Sequence, residues 1–271
     1  MNDQLGLRTL VEPGVENEET AVVTTSQNVP AIIPEIPADY SMEGMDGIGR
    51  DDLMVPRARV LQPTSKLEGE TGWFHFNLTG TAKKTVVAVL LRVQKGRVMW
   101  DAEDLGAAPR CASDDDVMPR QGDGYLFGPC ADCDQSRWGA DKTPPPCSQT
   151  YNFLAADTED DDAPFMISLS KTSLKHAKRI LSVFVLKHKP LFSAPVRIMS
   201  NLVTSEKGKW YEVTFTPAPA KGFDWRPYRE MYLGMKAMDL STDTERTDAP
   251  GASGGDGVTP IGGLDEEELP F

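Results

Sequence analysis

Two separated blocks of this 271-residue sequence carry nearly all of its regular apolar alternation, and that alternation most limits what the chain can fold into. In the first block, residues 55–62 and 72–78 alternate in character, and residues 85–100 form a long run rich in β-branched side chains. The second block opens with a similar run over 164–170. A period of two is typical of half-buried strands. We therefore expect a mainly β fold.

The second block changes its period once. Apolar residues at helical spacing predict a helix over about 173–188. Two more strand-like runs follow, 195–206 and 209–217, joined by a tight turn that predicts a hairpin. A last, partly amphipathic helix is expected over 225–240. The predicted order is thus three strands, a disrupted stretch, a strand, a helix and a hairpin.

An OB-fold-like β-barrel with one or two helices accommodates this order. An OB-fold has five strands with its helix between the third and the fourth, so the match requires that residues 101–162 be an insertion. An SH3-like barrel or an ordinary α+β sheet fits the order almost as well. We predict a barrel core over 55–238, interrupted by this insertion.

Charge is distributed unevenly around the formal net charge of -13. Residues 1–54 carry a net charge of -9 and lack periodicity, which predicts a disordered tail. Residues 239–271 carry -8 on a Gly- and Ser-rich stretch, which predicts a flexible tail. The insertion carries -11, and the rest of the core carries +15. A basic core with acidic appendages indicates a polyanion binder, although a solvated basic surface gives the same pattern.

All four cysteines lie in the insertion, with 18, 2 and 13 residues between them: Cys111, Cys130, Cys133 and Cys147. A CxxC pair flanked by two more cysteines is a ligand set that Zn²⁺ favours. The surrounding Gly- and Pro-rich sequence offers little core, so a metal would help it fold. Two disulfides or a redox CxxC are the alternatives. We expect one structural Zn²⁺, because no histidine lies nearby in sequence to form a catalytic site.

Basic and aromatic residues are interleaved along the predicted strands. Single-strand binders combine a basic groove for phosphates with flat side chains on which bases stack. The candidate DNA-binding residues are Arg57, Arg59, Trp73, Arg92, Lys95, Arg97, Trp100, Lys209 and Trp210. Each tryptophan on its own is as consistent with a core position as with a stacking position.

The chain ends with four carboxylates followed by apolar residues. We define the acidic tip as Asp265, Glu266, Glu267, Glu268, Leu269, Pro270 and Phe271. An aromatic ring and a terminal carboxylate can fill a small pocket on a partner while the acids engage its basic rim. A solubility tail is the alternative for an acidic run of this kind.

The acidic tip resembles the C-terminal tip of bacterial single-stranded-DNA-binding proteins. That resemblance implies docking of replication, recombination or repair proteins at 265–271. Bacterial members lack the four-cysteine insertion and the long acidic N-terminal tail, so their tetrameric assembly is not implied here. A zinc-bearing OB barrel with an acidic tail is instead similar to bacteriophage single-stranded-DNA-binding proteins. That resemblance implies a phage or mobile-element protein, acting in the host cytoplasm if it is phage-encoded.

The function expected from the sequence is sequence-tolerant binding of single-stranded DNA without catalysis. A zinc-stabilised protein-interaction adaptor or transcription regulator is the alternative. A metal-dependent nuclease using the aspartates at 114–116 and 160–162 is disfavoured, because such acidic runs are ordinarily solvated. No apolar run is long enough for a membrane span, and the N-terminus lacks the features of a secretory signal, so we expect a cytoplasmic protein without a membrane partner.

Overall fold

The computed structural model of the chain describes residues 44, 47, 54, 56–101, 108–120, 127–206, 208–237 and 240–245. No helix in these ranges is long and apolar enough to cross a membrane. Most of the two predicted acidic tails, including the acidic tip at 265–271, lies outside the described residues. The boundaries predicted for the tails, the core and the insertion stay predictions.

The described residues are mainly β with two helices, as the sequence predicts. The strands are β1 (Ala58–Val60), β2 (Phe74–Phe76), β3 (Ala82–Lys83), β4 (Val86–Met99), β5 (Cys111–Ser113), β6 (Cys147–Asp157), β7 (Ala163–Ser170), β8 (Val196–Ser205) and β9 (Gly208–Pro217). The helices are α1 (Leu174–Leu186) and α2 (Arg226–Met235).

A six-stranded antiparallel sheet holds most of the fold together. Its order is β7-β6-β4-β8-β9, with β5 also paired to β4. The 14-residue β4 organises the sheet because it pairs with β6 over most of its length, with β8 near its start and with β5 at its end. The ladder between β4 and β6 shifts register between Leu90 and Arg92. A strand that changes partner along its length curves the sheet around a core.

The β-barrel predicted from the sequence is not closed by the described strands, which make two open sheets. The sheet stays open because the chain leaves β7 for a short 3-10 turn, Lys171–Ser173, before a ladder with β9 can form. Side chains of this turn meet β9 instead. The amide of Val213 donates to Ser173 Oγ at 3.0 Å, and Trp210 Nε1 donates to Thr172 Oγ1 at 3.2 Å.

The second sheet, in the order β1-β2-β3, packs against the first. A parallel bridge joins Arg57, just before β1, to Met166 of β7. Further along, Gln62 accepts from the Tyr211 amide of β9 at 2.9 Å and donates to the Tyr211 carbonyl at 3.0 Å. The small sheet therefore contacts both edge strands of the large one.

Alternate residues of the central strands belong to two separate apolar clusters. Phe153 and Ile167 belong to the main core, which α1 covers with Ala177, Ile180 and Phe184. Their sequence neighbours, such as Leu154 and Met166, pack on the opposite side against Tyr228 of α2 and Leu240. Alternation along a strand places these two sets on opposite faces of the sheet. We call the face that carries Leu154 and Met166 the outer face.

The stretch 101–162, which the sequence predicts to be an insertion, contains two strands of the main sheet. Its last part contains β6, an 11-residue strand that is buried almost throughout and lies between β7 and β4 in the sheet. The sequence does not reveal β6, because polar, Gly- and Pro-rich residues dominate the stretch before this strand. The residues between β4 and β6 contain one further strand of the sheet, β5, which was also not predicted.

Candidate functional site

Two of the four cysteines are held in register by the main sheet. Met99, the last residue of β4, pairs with Cys111 of β5 on one side and with Cys147 of β6 on the other. Residues paired across antiparallel strands project to the same face. Both cysteines are buried and pack with Met99, and Phe127 covers them.

The CxxC pair lies in a turn stabilised by its own backbone carbonyls. Ser136 Oγ donates to the carbonyl of Cys130 at 2.8 Å and to that of Cys133 at 2.7 Å. The amide of Cys130 donates to the Val117 carbonyl at 2.9 Å, which fixes the turn to the segment after β5. The 3-10 helix that follows, Asp134–Ser136, packs on β6.

Cys111, Cys147 and the CxxC turn lie in one region of the fold, where β5, β6 and the segment after β5 meet. Burial raises the pKa of the Cys147 thiol to about 12, and the thiols of Cys111, Cys130 and Cys133 act in the same direction against the opposing charge of Arg97. The four form no disulfide. Within the described ranges, no three Cys, His, Asp or Glu side chains stand in a metal-binding arrangement. The zinc site stays a prediction.

A six-residue segment at the C-terminal end of the described chain covers two of the predicted DNA-binding arginines. We call this segment, residues 240–245, the strap. Arg57 donates to the carbonyl and the Oγ of Ser241 at 2.9 and 2.7 Å. Arg59 makes a bidentate pair with Asp243, at 2.6 and 2.8 Å, and also donates to Glu245 at 2.8 Å. Both guanidiniums therefore bind groups of the strap.

The charges of the strap determine the electrostatics of these arginines. Burial alone would lower the pKa of Arg59, but the hydrogen bonds and charges of Asp243 and Glu245 outweigh it and raise that pKa. The pKa of Arg57 is lowered, because its burial outweighs the attraction of Asp243. Of these two arginines, Arg59 is thus the one whose pKa the strap acids raise most.

The start of the strap is anchored in the outer face. Leu240 is fully buried in the outer apolar cluster. Thr242 Oγ1 donates to the Ser113 carbonyl at 2.8 Å and accepts from Asn152 Nδ2 at 3.1 Å. The strap crosses β4 at Gly96, where any side chain would collide with Thr242 and with the Ser113 backbone. Glycine is needed there for this close approach.

The remaining predicted basic residues of β4 divide between the two faces. Arg92 pairs with Leu154 on the outer face and donates to the Lys236 carbonyl at 3.0 Å. Lys95 lies on the other face, 5.8 Å from the Tyr151 ring centre. Arg97 shares that face and forms an ion pair with Asp116. The structure therefore does not bring all of the predicted residues onto one surface.

The three predicted stacking residues are half-buried: Trp73, Trp100 and Trp210. Trp210 lies on the hairpin beside the exposed Lys209. Two tryptophans that the sequence analysis did not select are more exposed, Trp138 at 53% and Trp225 at 45%. Trp225 and Tyr232 flank Phe192 at centroid distances of 6.4 and 5.5 Å.

The aspartates after β5 make hydrogen bonds within the fold, where Asp114 is half-buried and Asp115 is exposed. Asp114 makes a bidentate pair with Arg120, at 2.6 and 2.8 Å, and accepts from the Thr242 amide at 2.6 Å. Asp115 accepts from the amides of Val117 and Met118. Arg120 could not be singled out from the sequence because it is one of four cations in the acidic stretch 101–162, and its partner lies six residues before it.

Comparison with known proteins gives one match. A family model described as the Pam3 phage gp34-like protein matches residues 24–245. This range spans both sheets, the cysteine cluster and the strap. No curated protein and no solved structure was found to match the chain.

Proposed function

Since this chain belongs to the Pam3 phage gp34-like protein family, we propose that it is a phage protein that binds single-stranded DNA. In this proposal, binding is sequence-tolerant and involves no catalysis. The acidic tip at 265–271 recruits replication, recombination or repair proteins of the host or phage.

The order of the large sheet supports an OB-type core. Without β5, the five strands follow one another along the chain as β4, β6, β7, β8 and β9. Across the sheet they lie in the order β7-β6-β4-β8-β9, so the first strand of the five is at the centre. Helix α1 falls between the third and the fourth of these strands. An OB-fold is a partly open five-stranded barrel with its helix in that place, and its second and third strands present the oligonucleotide-binding face. Here those two strands are β6 and β7.

One observation carries the proposal: arginines lie over the outer face of the strand pair that would bind an oligonucleotide. Arg57 bridges to β7 at Met166, and Arg59 follows it in β1. Arg92 projects from β4 on the same face, opposite Leu154 of β6. Guanidiniums suit phosphates because their donors match the geometry of two oxygens.

The proposed zinc would stabilise the folded insertion and would take part in no reaction. Cys111, Cys130, Cys133 and Cys147 would hold it, and the convergence of four buried or half-buried thiols fits its preference for sulfur. When bound, the metal would crosslink β5, β6 and the CxxC turn. Four protein ligands leave no position for water or substrate, which is why the proposed role is structural.

The alternative function, a zinc-stabilised adaptor or regulator that binds only proteins, has one observation in its favour. Arg57 and Arg59 already bind the strap, so a phosphate chain would have to compete for them. Under this alternative, the strap is a permanent part of the fold and the basic core has no nucleic-acid ligand.

A gel-shift titration of the reduced full-length protein against labelled oligo-dT, with duplex DNA of the same length as competitor, separates the two functions. The single-strand proposal expects retardation of oligo-dT that excess duplex does not abolish. An adaptor would leave oligo-dT unshifted at every protein concentration, and that result would reject the proposal.

A further inference from the structure

We propose that the strap is a built-in competitor for the arginine face, with the carboxylates of Asp243 and Glu245 standing where two phosphates of a bound strand would lie. The inference rests on the proposed function, because it identifies where the single-stranded DNA binds and states that the strap carboxylates must leave the arginines first. It concerns residues 243–245, which are distinct from the acidic tip.

The contacts of Arg59 are those expected of a phosphate site. Its Nε and Nη2 form a two-point pair with the carboxylate of Asp243, and Nη2 also reaches Glu245 at 2.8 Å. A phosphodiester offers the same two oxygens to a guanidinium. The Arg59 side chain is 12% exposed, so a ligand must take the place of these carboxylates to reach it.

The face beneath the strap has polar atoms available for a ligand. Arg57 Nη1, Thr150 Oγ1, Asn152 Oδ1 and Ser168 Oγ are buried and have no hydrogen-bond partner among the described residues. Asn152 and Ser168 are paired across β6 and β7, and Arg57 bridges to the neighbouring Met166. Buried polar atoms ordinarily have a partner, so a cluster without one favours a polar ligand or solvent at this place.

The strap has a fixed half and a releasable half. Leu240 and Thr242 are buried, with the anchoring contacts described above. Asp243 and Glu245 lie further out, and the Glu245 side chain is 71% exposed. Exposed ion pairs contribute little net stability, so exchanging the Arg59–Glu245 pair for a phosphate costs the fold little. The Arg59 and Asp243 side chains are only 12% and 17% exposed, so a phosphate must replace both hydrogen bonds of that pair. The release would therefore begin after Thr242 and leave the anchor in place.

The first test compares two double variants of the full-length protein. Asp243→Asn with Glu245→Gln removes the two competing charges. Asp224→Asn with Glu230→Gln is the matched control, because it changes net charge equally at acids paired to Arg226 and Arg229 and not to Arg59. We expect the strap variant to bind labelled oligo-dT about threefold to tenfold tighter at low salt, and the control less than about twofold tighter. Equal affinities of the two variants would overturn the inference.

The second test needs no variant and therefore does not depend on folding of the mutants. The Glu245 amide donates to Asp243, and the Thr242 amide donates to Asp114. Adding oligo-dT to the unmodified protein should speed hydrogen exchange at Glu245 and leave Thr242 protected. Slower or unchanged exchange at Glu245 in a protein that binds oligo-dT would reject the strap as competitor while leaving the proposed function intact. If neither the unmodified protein nor the strap variant binds oligo-dT, the proposed function itself fails.

Discussion

Cys133 is the least buried of the four cysteines, and Ser136 fixes its backbone because the Ser136 amide and Oγ both donate to the Cys133 carbonyl. The other three are buried against strands of the main sheet or the segment after β5. At the residue scale, the four-cysteine site that the spacing predicts stays a prediction, since no three of these side chains form a metal-binding arrangement within the described ranges. The binding of a zinc ion stays a prediction.

The first prediction concerns that metal. Freshly purified, reduced protein should contain one zinc per chain by elemental analysis, and Cys133→Ser should lose it. Because metal binding and folding of the insert would be one event, the variant should also melt at a lower temperature. Substoichiometric zinc in the unmodified protein would leave the four thiols as buried apolar side chains only.

The second prediction concerns the half-buried tryptophans. Base stacking contributes about 1–3 kcal/mol per base, so changing a true stacking residue to Ala should weaken oligo-dT binding by roughly fivefold or more. At least one of Trp73→Ala, Trp100→Ala and Trp210→Ala should do so, with quenching of intrinsic fluorescence on binding. Trp138→Ala is the comparison, since Trp138 is exposed and lies outside the strands and helices. Unchanged affinity in all three variants, without quenching, would remove stacking from the account.

Among the elements, β4 organises both the sheet and the site. It pairs with three strands, and at Gly96 it passes directly under the strap. The sequence predicted β4, β7, α1 and the β8–β9 hairpin well, because each has a long, regular period. It did not predict β6, since the apolar residues of that strand follow a polar stretch. The strap was also beyond prediction, because six residues without periodicity gain their order only from distant partners.

The third prediction uses the close approach at Gly96. Gly96→Ala should lower the free energy of unfolding by about 1–3 kcal/mol, because the new Cβ would overpack against the backbone of Ser113 as well as Thr242. Gly234→Ala in α2 is the matched control. Its Cβ would meet no atom within 4 Å, so helix propensity should leave that variant as stable as the parent or slightly more so. Urea denaturation of both variants measures the difference, and a Gly96→Ala protein as stable as the control would contradict the strap geometry.

At the scale of the whole molecule, charge segregation is the feature that the sequence conveys best. The core blocks carry +15 and the C-terminal 33 residues carry -8, and part of that acidic segment is the strap that lies on the arginines. The overall sign of the net charge alone would have pointed away from a polyanion ligand. The open form of the two sheets could not be predicted, because it depends on where the chain turns away after β7.

The fourth prediction concerns the acidic tip. Deleting residues 265–271 should raise oligo-dT affinity slightly at low salt, and the effect should fade near 0.15 M salt, where the Debye length is about 8 Å. Deleting Phe271 alone should leave DNA binding almost unchanged, because it removes no acidic side chain, but should abolish partner recruitment. Pull-downs from host extract with the two proteins measure this. Recovery of the same replication or repair proteins by both would make the tip a solubility tail.

The measurement that bears most directly on single-strand binding is the affinity of the full-length protein for labelled oligo-dT over a series of salt concentrations. Each phosphate neutralised on a single strand contributes about -0.7 to the slope of log affinity against log salt. We predict a slope of roughly -2 or steeper for the unmodified protein, and a shallower slope, by about 0.7, for Arg59→Met. Absence of binding at low salt, or an affinity that does not change with salt, would contradict the account.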